Sequence, residues 1–256
     1  MSCHDVIILS KILILTSPVY QLPVRLRRFC SENSGSCITG QGFAIILIME
    51  LIFLVIILIF SIVLHEVSHG TMANYLGDPT AKNSGRLTLN PIPHLDFLGS
   101  FIVPLIMMTP AIFGARTFIF GWAKPVPINP HNFRDQKYGE AKVAIAGPLA
   151  NFSLALVFGL SLRFLPVVLV HSGLIYLFSY IVYINIILAI FNLLPIPPLD
   201  GSHILFTFLS KKLENFKIFI YQYGIFILLF IIFFFPGQIN LVANSIFHFI
   251  VGFSFF

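Results

Sequence analysis

Residues 43–79 read FAIILIMELIFLVIILIFSIVLHEVSHGTMANYLGDP. From Phe43 to Leu64 only Glu50 and Ser61 interrupt an apolar run. A stretch of about 20 such residues crosses a bilayer as a helix. The pattern predicts that the helix continues through His65, Glu66 and His69 to about Tyr75, where Gly77, Asp78 and Pro79 stop it. Ionisable groups inside a membrane are costly and usually functional. Glu50, near mid-span, must therefore face protein or a polar cavity.

The rest of the chain agrees with that reading. Of its 256 residues 57% are hydrophobic and 10% charged, and 29 are Phe. Mean hydropathy is +0.94. A soluble domain carries about a quarter charged residues, so composition excludes a disordered chain and argues against a soluble enzyme. The net charge of +5 is no nucleic-acid footprint; it suits anionic lipid headgroups. Cys3, Cys30 and Cys37 all precede the first strong span and give no metal-ligand pattern with later residues.

Further spans are expected at 143–165, 174–194 and 218–235, with a Phe-rich stretch at 239–256 that is either a short helix or interfacial. Residues 78–96 and 121–142 read as polar loops, and Trp122 as an interface anchor. Gly85 to Pro91 alternates like a short strand between turn residues. Residues 97–120 are apolar but broken by Pro104, Pro110, Gly114 and Arg116. The expected organisation is an N-terminal extension over 1–40, a catalytic transmembrane core over 41–206 and C-terminal helices over 207–256.

The chemistry sits at the end of the first strong span. His65-Glu66-Val67-Ser68-His69 matches HExxH, with the two histidines one turn apart on one helix face, able to reach one metal ion. The adjacent glutamate suits a general base. A hydrolytic zinc needs three protein ligands and an open position. Asp200, in Asn192-Leu-Leu-Pro-Ile-Pro-Pro-Leu-Asp-Gly201, is the best third ligand on spacing. His203 is its rival, and His94 and His131 are weaker ones.

Four stretches together resemble the site-2 protease family of intramembrane zinc metalloproteases, in its small bacterial and archaeal form without PDZ or CBS domains. They are Ser61–Gly70 running into Leu76–Lys82, Gly85–Asp96, Gly121–Asn129 running on to Ala146–Asn151, and Phe191–Gly201. The resemblance covers about residues 43–206. It implies an all-α polytopic membrane protein with a site-2 protease-like core, to which the chain's own pattern adds a re-entrant or kinked hairpin over 97–120 and a short strand-like loop over 85–91. It implies one Zn2+ per chain, held by His65, His69 and Asp200, with Glu66 as catalytic base. By the same resemblance Asn151 steadies substrate or the developing oxyanion. The implied activity is hydrolysis of peptide bonds in membrane-embedded or membrane-adjacent substrates. A transporter with an ion path and a non-cleaving pseudoprotease are the alternatives.

Asn192 reads as a tie for the Pro195–Pro198 bend, and His94 and Asp96 as residues that shape their loop. The Arg86–Asn90 segment is expected to pair with an extended substrate by strand addition. Lys82, Arg86, Lys124, Arg134, Lys137 and Lys142 place their loops on the cytoplasmic side of a cell membrane, and the active site near that face. Residues 97–120 must then return to the face they leave. Arg25, Arg27 and Arg28 fall on the opposite side, against that trend.

Overall fold

The computed structural model describes residues 40–102, 106, 123–164 and 172–253. The three cysteines, Trp122, most of 97–120 and the side chain of Glu50 lie outside the described residues, so the hairpin expectation falls largely there.

Among the described residues, the longer helices are α1 Gly40–Tyr75, α2 Gly139–Phe164, α3 Ser172–Asn192, α4 Asp200–Phe208, α5 Glu214–Phe234 and α6 Pro236–Val251. Among the described residues, four helical stretches are long and apolar enough to cross a membrane: Ile52–Tyr75, Gly139–Phe164, Gly173–Asn192 and Glu214–Phe234. The Phe-rich end is helical but shorter. The chain is a multi-pass membrane protein.

α2 packs between α1 and α3. Leu54 and Ile57 of α1 meet Tyr180, Ile184 and Leu188 of α3. On the other side of α3, Val182 and Ile186 pack with Ala155 of α2 and with Ala243 and Phe247 of α6. A membrane-buried polar pair joins the first seam, where Asn185 Nδ2 donates to Ser61 Oγ at 2.9 Å. Such interhelical bonds average about 0.6 kcal/mol. Outward positions stay apolar: Phe226, Phe230 and Phe234 of α5 are all exposed. Lipid is the natural cover for that face.

Both ends of the first loop follow from local chemistry. α1 ends in a paired cap, with Gly77 N–H donating to Asn74 and Asp78 N–H to Ala73. This geometry needs a left-handed residue, which Gly77 supplies at φ +108°. α2 starts at Gly139, four residues before the expected Val143, because Asp135 caps it. Its Oδ1 accepts from the N–H groups of Lys137 and Tyr138. Lys142 adds an ion pair at 2.6 Å, and these contacts hold the Asp135 carboxyl below its ordinary range.

The strand-like stretch is a loop, and no strand occurs among the described residues. Its polar groups are engaged locally rather than by a ladder. His94 Nε2–H donates to the Thr88 carbonyl at 3.0 Å, and the Arg86 guanidinium donates to the Pro93 carbonyl.

Asp78 ties the two polar loops together. It is fully buried. It accepts from Thr80 N–H and Oγ1–H, from Asn129 N–H at 2.7 Å and from Asn132 Nδ2 at 2.8 Å. Burial opposes its charge, but these donors outweigh burial and hold the carboxyl below its ordinary 3.8. A lowered folded-state pKa adds stability above the unfolded value and loses it as pH falls through the folded one. Asp78→Asn, with one oxygen facing several donors, should cost about 1–3 kcal/mol at neutral pH. The gap to wild type should narrow as pH drops below about 4. Thermal melts in detergent across that range check this; a gap that widens with acid would refute it.

Candidate metal centre

His65 and His69 lie on the last turns of α1, one helical turn apart as expected. Asp200 opens α4, on the far side of the Pro195–Pro198 bend. The three side chains converge. Asp200 Oδ2 is 2.9 Å from His65 Nε2 and 3.3 Å from His69 Nε2. The two Nε2 atoms are 3.0 Å apart. Both histidines are buried, whereas the Asp200 side chain keeps 21% of its exposure. One side of the cluster therefore opens outward.

The fit to a metal is tested by this geometry. Zinc with bonds of about 2.0 Å in a tetrahedron sets ligand atoms roughly 3.3 Å apart, close to the separations found. These are the one group of three or more His, Cys, Asp or Glu among the described residues that could hold an ion. The far nitrogen of His69 is fixed, since its Nδ1–H donates to the Val143 carbonyl at 2.6 Å. In a neutral ring this leaves Nε2 as a bare lone pair facing the cluster.

α2 supplies the wall. A Cβ at Gly147 would strike His69 Nε2 and come within 2.6 Å of His65 Nε2. Glycine is the residue that leaves this space open. Pro148 follows it inside the helix. Proline has no N–H to donate to the Ala144 carbonyl one turn back. A groove lined by Ser68, Met72, Ala146 and Ala150 runs between α1 and α2 beside the site.

Glu66 is buried next to the histidines, and Val126 N–H donates to its Oε2 at 2.9 Å. Val126 belongs to an irregular strap pinned along its length. Lys124 N–H donates to the His94 carbonyl, Asn129 N–H to Asp78 and Arg134 N–H to the Leu76 carbonyl. The Asp78 junction thus sets the strap that orients the glutamate.

The rival ligands stand elsewhere. His203 is partly exposed and 4.0 Å from Glu140. His94 is buried in its own loop. His131 is exposed. Asn192 is buried and donates to the Leu188 carbonyl. Asn151, expected to face substrate, is fully buried with Nδ2 3.1 Å from His65 Nδ1, the ring nitrogen remote from Asp200. Sequence reasoning did not single out Gly147, Val143, Val126 or Asp78 for the site. A Gly-Pro pair inside a span was the available signal, because small residues in spans mark close approach.

Spanning helices around a cluster of two histidines and an aspartate, with a glutamate beside it, define a membrane protein with a metallopeptidase constellation. The chain belongs to peptidase family M50, the site-2 protease family: the family's profile matches residues 106–231, which include Asp200. It is 40% identical over 164 residues to the putative zinc metalloprotease YwhC of Bacillus subtilis, covering 60% of this chain and 67% of that one. It is 30% identical over 158 residues to the putative zinc metalloprotease Rip2 of Mycolicibacterium smegmatis, covering 60% and 56%. Against the putative zinc metalloprotease MJ0611 of Methanocaldococcus jannaschii it is 49% identical over 65 residues, 25% and 32% of the two chains. No solved structure gives a significant match.

Proposed function

We propose that the protein is a zinc-dependent endopeptidase of the cell membrane that hydrolyses peptide bonds in membrane-embedded or membrane-adjacent substrates. The observation that carries this reading is the meeting of His65, His69 and Asp200 across 135 residues of chain, beside a buried glutamate. One zinc per chain is the cofactor, and the named relatives support it. When bound, zinc supplies a Lewis acid that polarises the scissile carbonyl and makes water more acidic.

The chain's own residues do the rest. His65, His69 and Asp200 present lone pairs and one negative charge to the ion. Glu66 takes a proton from the attacking water and returns it to the leaving amide nitrogen, so that water adds across the peptide bond. Val126 N–H fixes the Glu66 carboxylate through one oxygen, which limits its reorientation during that transfer. The site lies at the α1 end where the polar loops gather, so water reaches it without crossing the apolar bundle. A helical substrate hides its carbonyls in hydrogen bonds, and must unwind locally at this end. The basic loops favour the cytoplasmic face for it.

Metal analysis of the purified full chain tests the reading, with His65→Ala and Asp200→Ala alongside. Wild type should hold about one zinc, as the three-ligand site requires. Each variant should lose most of it and, with it, cleavage of single-span peptides in liposomes. Full zinc occupancy in Asp200→Ala would remove Asp200 from the ligand set. Metal-dependent ion flux without peptide products would overturn the proteolytic reading.

A further inference from the structure

Asn151 lies on α2 one turn beyond Gly147, with no exposed surface. Its Nδ2 is 3.1 Å from His65 Nδ1, and its Oδ1 is buried with no hydrogen-bond partner. In that orientation the amide donates to a bare Nδ1. A neutral His65 must then carry its proton on Nε2, the atom 2.9 Å from Asp200 and 3.0 Å from His69 Nε2. That tautomer has no lone pair at Nε2 to offer a metal, and the amide orientation leaves a buried carbonyl oxygen unsatisfied.

Turning the amide over resolves both. The oxygen and nitrogen of an asparagine amide occupy nearly the same shape, and the hydrogen-bond network decides between them. With Oδ1 toward the ring, His65 Nδ1–H donates to it, and Nε2 offers its lone pair to an ion held between His65, His69 and Asp200, whose facing acceptors are 2.9–3.3 Å apart and need that ion between them. His69 already has this arrangement, its Nδ1–H held by the Val143 carbonyl.

We infer that Asn151 is a positioning residue for the metal centre: its Oδ1 accepts the Nδ1–H of His65 and fixes that ring in the tautomer and orientation that ligate. α2 thus holds both histidines from behind, His69 through a backbone oxygen and His65 through a side-chain oxygen. This assigns Asn151 to the metal rather than to substrate, and it rests on the metal-site reading above.

The test uses the purified full chain and zinc alone, with affinity read by competition against a chromogenic chelator. Removing an oxygen that orients a ligating histidine costs about 10–100-fold in metal affinity. Asn151→Leu should fall by that factor. Asn151→Asp, which keeps an acceptor at Nδ1, should stay within about threefold of wild type, since the orienting bond remains. Asn185→Leu, which deletes another buried asparagine amide between helices, should leave zinc affinity unchanged. Wild-type affinity in Asn151→Leu would overturn the inference, as would an equal loss in Asn185→Leu or in a folded Asn151→Asp. A second readout needs no variant to fold: histidine NMR of the zinc-loaded wild type should show the His65 Nδ1–H shifted downfield, as a proton held by Oδ1 is. A zinc-ligated His65 whose Nδ1–H lacks that hydrogen-bond shift would overturn the inference while leaving the zinc reading intact. A wild type that binds no zinc would overturn both.

Discussion

Glu66→Gln should keep zinc in place and lower peptide cleavage by about 10²–10⁴-fold, the usual contribution of a positioned general base. Glutamine has nearly the shape of glutamate, and its carbonyl oxygen can still accept from Val126 N–H, so the strap keeps its anchor. What it lacks is the ability to take a proton at neutral pH. The glutamate is not among the converging ligand atoms, so metal content should equal wild type. The assay compares wild type, Glu66→Gln and a chelator-treated sample on a panel of single-span peptides in liposomes, with products identified by mass spectrometry. Equal cleavage by wild type and Glu66→Gln would defeat the assigned mechanism. A matching loss of zinc would mean that the residue acts by holding the site together.

The ends of α1 show why part of this molecule is legible in its sequence. A membrane-spanning helix announces itself by length and apolarity alone, and its stop is written in Gly77, Asp78 and Pro79. The paired cap uses Gly77 for the reason the sequence implies, a left-handed backbone position. Two histidines four apart share a face in any helix, so their meeting was readable too. The start of α2 was less so. Charged residues Glu140 and Lys142 look like loop, but they are the first turn of a helix capped by Asp135. The alternation at 86–90 looks like strand. It became a loop because side chains of Arg86 and His94 take up nearby carbonyls that a strand would give to a neighbour.

Asp200 illustrates the limit for the site. Its spacing left His203, His94 and His131 as rivals, because sequence gives no distance between remote segments. The fold separates them: Asp200 opens α4 with its carboxylate against His65 and His69, whereas His203, one turn further, faces Glu140. Close packing at that bend depends on Gly201, where a Cβ would run into the carbonyls of Leu193 and Leu194. The roles of Val143 and Val126 had no sequence signal at all. They act through backbone groups, which every residue type carries.

Gly147→Ala should weaken zinc binding at least about tenfold, although it adds one methyl group at a distance from any ligand in sequence. The new Cβ would lie within 2.6 Å of His65 Nε2 and against His69 Nε2. These ring tips cannot simply swing aside. His69 is held at Nδ1 by Val143, and His65 by Asn151. Relief requires tilting a ring off its partner or moving α2 off α1, and such overpacking costs about 1–3 kcal/mol. Every 1.4 kcal/mol is tenfold in affinity, and the loss is larger if one histidine leaves the ion. The metal-free protein should fare differently. There Val143 and Asn151 still hold the rings, but a ring can tilt without losing an ion, and alanine's helix preference of about 1 kcal/mol over glycine offsets part of the clash. Chelator competition and thermal melts with and without zinc separate the two effects. The expected result is a melting temperature modestly below wild type in EDTA and a much smaller rise on adding zinc. Equal stabilisation of Gly147→Ala and wild type by zinc would show that α2 does not wall the ligand cluster.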